Sequence, residues 1–138
     1  LRRSDMSSQR KKDLVTYPIQ DQVRLEVYWR DDEGGHGPAS SLYVLEEEVF
    51  RFDCFGGDQG HYHFNLRQNR GQRWYYEEST VQENIDRSVF EMTKNLPFCL
   101  RTNHDSNVQS VEIDQEKLDW AADQMRGKLL EFSDQLGF

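Results

Sequence analysis

The chain has 138 residues, room for one domain and little more, and its 36% hydrophobic and 12% aromatic residues supply a core, which excludes disorder of the whole chain. A formal net charge of −8 argues against general affinity for nucleic acid or for an anionic membrane surface. No apolar run approaches the ~18 residues needed to span a bilayer, so no membrane partner is expected.

The charge is unevenly spread. Residues 1–12 hold Arg2, Arg3, Arg10, Lys11 and Lys12 against Asp5 alone, a local charge of +4 that leaves −12 on the remainder. The stretch has no apolar period, so residues 1–20 read as a flexible basic tail, with residues 1–5 foreign to the domain if Met6 is the natural start. Residues 21–138 then form a single α+β domain. Cys54 and Cys99 match no C-x-x-C spacing, and the N-terminus lacks the apolar stretch of a secretory signal. Two buried free thiols in the cytoplasm are expected.

In chain order, Gln22 to Arg30 alternates. Val23, Leu25, Val27 and Trp29 point one way, and Arg24, Glu26, Tyr28 and Arg30 the other, which is the period of a half-buried strand. Asp31 to Ser40 stacks turn formers and reads as an exposed connection before a short strand at Leu42 to Leu45. Val49 to Cys54 is the third strand, with Phe50, Phe52 and Cys54 facing the core. After the glycine-rich turn Phe55 to Gly60, His61 to Arg67 is the fourth, with Tyr62, Phe64 and Leu66 inward. Asn69-Arg70-Gly71 fits a three-residue hairpin loop, which sets Leu66 opposite Trp74, Phe64 opposite Tyr76 and His63 opposite Glu77.

Thr80 with Glu83 three residues on is a capping box, and Ile85, Val89 and Met92 form an apolar stripe at helical spacing. That helix should end before Pro97. Residues 101–110 read as a polar loop ending in a short strand at Val111 to Ile113. Asp114 caps a second helix to about Gln135, with Leu118, Ala121, Ala122, Met125, Leu129 and Phe132 in line. Trp120 lies off that stripe, to lap over the sheet edge or to meet another subunit. The sum is an antiparallel meander of four or five strands with two amphipathic helices packed on one face.

Chemistry gathers on the other face, which carries Arg51, Asp53, His61, His63, Arg73, Tyr75 and Glu77. His61 and His63, two apart on a strand, project to the same side. With a carboxylate from Glu77 or Asp53 they have the donors for a divalent metal, His61, His63 and Glu77 being the first set to consider. Without metal they are an acid and a base for a toxin-like ribonuclease, with Arg51, Arg67 or Arg73 holding phosphate. The simplest reading is a wet sheet face of mixed charge that binds a protein partner or a small ligand, since tyrosine and arginine are enriched at interfaces. We therefore expect a small accessory or interaction protein, a homodimer, with no cofactor and no RNA partner. The alternative is a small enzyme centred on His61 and His63, either a metal-dependent hydrolase or the ribonuclease. No dinucleotide, phosphate-loop or zinc-protease motif occurs.

Overall fold

The computed structural model describes residues 10–77 and 80–138. The alternating segments form a six-stranded antiparallel sheet in simple meander order: β1 (Lys12–Gln20), β2 (Val23–Asp32), β3 (Gly35–Val44), β4 (Glu47–Asp53), β5 (His61–Phe64) and β6 (Trp74–Tyr75). The helices α1 (Val81–Lys94), α2 (Leu96–Arg101), α3 (Ser106–Gln109) and α4 (Gln115–Leu136) follow. The α+β class and the one-sided packing of the two long helices are as the periodicity predicts, with six strands in place of four or five.

Apolar side chains from alternate strand positions explain that packing. Leu25, Leu42, Phe50 and Phe64 stand in register across β2, β3, β4 and β5. On this side of the sheet, α4 packs across β1, β2 and β3 and against α1. Leu118, Ala121, Ala122, Met125, Leu129 and Phe132 of α4 are all buried, as are Ile85 and Met92 of α1. Each leucine, isoleucine, methionine or phenylalanine among them contributes about 1.5–3 kcal/mol when taken out of water. Trp120 is half exposed and meets Tyr17 edge-on at 6.2 Å, so it laps over the β1 edge of the sheet.

Four segments depart from the sequence reading. The stretch assigned to a basic tail includes β1, an edge strand on β2 whose inward alternation (Val15, Tyr17, Ile19) was hidden by the flanking charges and by Pro18; residues 1–9 of that tail lie outside the described residues. Proline is tolerated in a strand at a sheet edge. The exposed connection at 31–40 is mostly β3, where Ala39 and Ser40 are buried. Its glycines serve a close approach: Gly35 and Gly37 take φ values of +142° and +147°, and a Cβ at Gly35 would collide with the Phe55 ring. Val111 to Ile113 is not a strand, and Leu96 to Arg101 and Ser106 to Gln109 add two short helices.

The fourth departure is the β5–β6 register. Trp74 pairs with Tyr62 instead of Leu66, and Tyr75 with His61. The strand ends at Phe64 because Asn65 takes φ +46° and is buried. Its side chain donates to the Cys99 carbonyl at 2.9 Å and accepts from Asn103 at 2.9 Å. These bonds tie the chain to the helical layer, so the loop is longer than three residues. The slip is an even number of positions, which is why each side chain keeps its face.

The capping box at Thr80 is present in both directions. Thr80→Ala should therefore cost about 1 kcal/mol in urea unfolding. Burial pushes both the Cys54 and Cys99 thiols up to about 12. At neutral pH a thiol reagent should label neither cysteine in the native protein and both in denaturant.

Candidate functional site

Pairing across β2 to β6 arranges the polar face in rows. One row runs Tyr28, Ala39, Asp53, His61, Tyr75; the next runs Glu26, Ser41, Arg51, His63. The small side chain of Ala39 leaves the space beside Asp53 to larger neighbours. Arg30, one pair further along β2, reaches it: Arg30 Nη1 donates to Asp53 Oδ1 at 3.1 Å. Asp32 grips the same guanidinium through two bonds of 3.0 and 2.9 Å, which fixes its direction.

Asp53 is fully buried. Burial opposes ionisation of its carboxyl, but the facing His61 and His63 rings and the Arg30 guanidinium outweigh that and hold it well below the usual carboxylate range. Asp53 Oδ2 lies 3.0 Å from His61 Nε2 and 3.6 Å from His63 Nε2. Neither ring forms a hydrogen bond to it in this structure, the longer contact lying beyond hydrogen-bond distance, and this buried oxygen accepts no hydrogen bond.

The imidazoles are oriented from behind. His61 Nδ1 lies 2.9 Å from the Gln59 carbonyl, and His63 Nδ1 lies 2.7 Å from the Gln72 carbonyl. A carbonyl only accepts, so both Nδ1 atoms carry protons; each Nε2 then turns an N–H toward Asp53 when its ring is protonated and a lone pair when the ring is neutral, the form that ligates a metal. The glycine-rich turn before β5 supplies one of these carbonyls. At Gly60 a Cβ would collide with Asn84 and with the Phe55 carbonyl, so the backbone there closes against α1. Three acceptor atoms, two nitrogens and one carboxylate oxygen, thus lie within 4.8 Å of one another.

The structure brings together Asp53, His61 and His63, with Arg51 across from His63 and Tyr75 across from His61. Glu77 is exposed and is not across from His63, so the hairpin pairing that recommended it is overturned. Arg51 is bound by Glu48 at 2.9 and 2.7 Å. Arg73 is exposed, Tyr75 is 58% exposed, and Arg67 pairs with Glu47 in a different part of the surface. Much of the remaining polar face is closed by its own contacts. Tyr28, Ser41, Glu48 and Arg51 form one chain of bonds; Lys11, Glu26, Arg24 and Glu46 form another.

Arg30 and Asp32 were not among the expected site residues. Arg30 had been placed on the correct face by alternation, but its reach across β3 to Asp53 depends on the small residues Gly37 and Ala39 between them. Replacing Arg30 by alanine leaves a buried carboxylate without its cation, a loss of about 3–5 kcal/mol. Urea unfolding with chelator present measures it.

No described helix is long and apolar enough to cross a membrane. No curated protein and no solved structure matches the chain. A family described as a domain of unknown function, DUF7700, matches residues 20–129, a span that includes Arg30, Asp53, His61 and His63. That span is most of the sequence, and the chain belongs to the DUF7700 family.

Proposed function

We propose that this domain binds one divalent metal ion of the zinc or iron(II) type through Asp53 Oδ2, His61 Nε2 and His63 Nε2. The observation that carries the reading is the buried oxygen without a donor, faced by two nitrogens whose opposite ring atoms are already committed to backbone carbonyls. With both rings neutral, the three converging acceptors repel one another unless a cation sits among them. Metal–ligand bonds of about 2.0–2.2 Å place neighbouring ligand atoms roughly 2.9–3.5 Å apart in octahedral or tetrahedral geometry. The oxygen–nitrogen spacings of 3.0 and 3.6 Å are close to that range.

The donor types support the same class of ion. Imidazole suits zinc, iron, copper and nickel, and two histidines with one carboxylate are a known set for zinc and for non-haem iron(II). Histidine ligands commonly donate their second nitrogen to a carbonyl, which raises ligand basicity and sets the tautomer. Arg30 plays the corresponding part for Asp53 by occupying Oδ1 and leaving Oδ2 for the ion.

The other two readings draw less support. An interaction surface needs a broad accessible patch of about 800 Å² per partner. On this face Tyr28, Asp53 and His61 are each no more than 2% exposed. A ribonuclease needs two imidazoles open to a phosphodiester, and the burial of His61 opposes that.

Protein purified without chelator or a polyhistidine tag should bind one equivalent of zinc in calorimetric titration after stripping. Outer partners of metal ligands are worth about 10–100-fold in affinity. Arg30→Lys should lose affinity within that range, and His61→Ala or Asp53→Asn by more. A wild-type chain that takes up no zinc or iron(II) at micromolar concentration would reduce the cluster to a buried ionic network. Native mass spectrometry of the same sample reports the number of subunits.

A further inference from the structure

We infer that the metal site is open, and that its free coordination position takes a small oxygen anion, a carboxylate or a phosphate oxygen, supplied from outside the chain. The inference rests on the metal reading above and goes beyond it to the class of ligand. Its basis is the number of donors, the charge they leave and the side from which the site is reached.

Among the described residues, no fourth histidine, cysteine, aspartate or glutamate joins Asp53, His61 and His63. Structural zinc sites are closed by four protein ligands, whereas sites with three retain a position for water or substrate. Asp32, the carboxylate that shares Arg30 with Asp53, accepts from Arg30 Nε and Nη2 and from the Gly34 amide at 2.7 Å. It holds Arg30 and is not available to the ion.

Charge then selects the incoming group. A divalent ion bound to two neutral imidazoles and one carboxylate keeps a single positive charge, and Arg30 with Asp32 beside it adds nothing net. In a buried setting that charge is weakly screened, so an anion is favoured over a neutral ligand. The acidic balance of the whole protein, −8, opposes a large polyanion and favours a small one.

Access to the cluster is narrow. The Asp53 side chain has no exposure and that of His61 only 2%, while that of His63 has 13%. Tyr75, whose ring centre lies 5.8 Å from that of His61, is well exposed. The approach is therefore over His63 and Tyr75, along the β5–β6 edge of the site. Arg30, whose side chain is 11% exposed, borders the site from β2.

Cobalt(II) loaded into the full chain makes the free position visible, because its visible absorption responds to coordination number and ligand. In a non-coordinating buffer, acetate and inorganic phosphate are titrated separately. A saturable change of the cobalt bands with millimolar acetate, phosphate or both, together with binding to the metal-free chain at least about tenfold weaker, is the expected result. Acetate alone would name a carboxylate ligand, and phosphate alone a phosphoryl one. One equivalent of bound cobalt whose spectrum ignores both anions would overturn the open site and leave the metal reading standing. A chain that binds no cobalt would remove the metal reading and this inference with it.

Discussion

A single buried carboxylate organises the polar side of this sheet. Asp53 has no access to solvent, and an ionised oxygen in that position is tolerable only with compensating partners. Arg30 satisfies one of its oxygens, and Asp32 and the Gly34 amide hold Arg30 in turn. The other oxygen faces two imidazoles across β4 and β5. The narrow row at Gly37 and Ala39, the clenched β2–β3 turn and the backbone carbonyls behind the histidines all serve this one group.

The two faces of the sheet divide the work between stability and chemistry. One is filled by aliphatic and aromatic residues and sealed by α1 and α4, so its free energy comes from area removed from water. The other is covered largely by its own long side chains, in chains of ion pairs and hydrogen bonds that run along the rows of cross-strand neighbours. Such networks contribute little net stability for each pair, but they fix positions. The proposed metal site, which needs three ligand atoms within a few ångströms, would benefit from that rigidity. Strands hold His61, His63 and Asp53 more firmly than loops would.

Much of the fold was legible in the residues. Alternation placed β2, β4 and β5 and assigned each side chain to its face, and the capping box and apolar stripes placed α1 and α4 within a residue or two. The losses have physical causes. Gly35, Gly37 and Pro38 carry turn chemistry in sequence, yet the glycines are needed so that the Phe55 ring can lie against the β3 backbone. The short hairpin loop was locally sound, but Asn65 finds better partners in the helical layer, at Cys99 and Asn103, than in a continued ladder.

The same distinction holds for the site. Period-two alternation alone put His61, His63, Asp53 and Arg30 on one face, because a strand's side chains have no other choice. Which carboxylate meets the histidines was beyond it. Glu77 and Asp53 are both on the correct face, and the choice depends on the register of β6 and on the pairing of β4 with β5, each set by contacts between residues far apart in the chain. Face membership is a local property of the backbone and can be read from the sequence. Convergence of Asp53, His61 and His63, and the burial that leaves one oxygen without a donor, are properties of packed strands, and only the tertiary structure decided them.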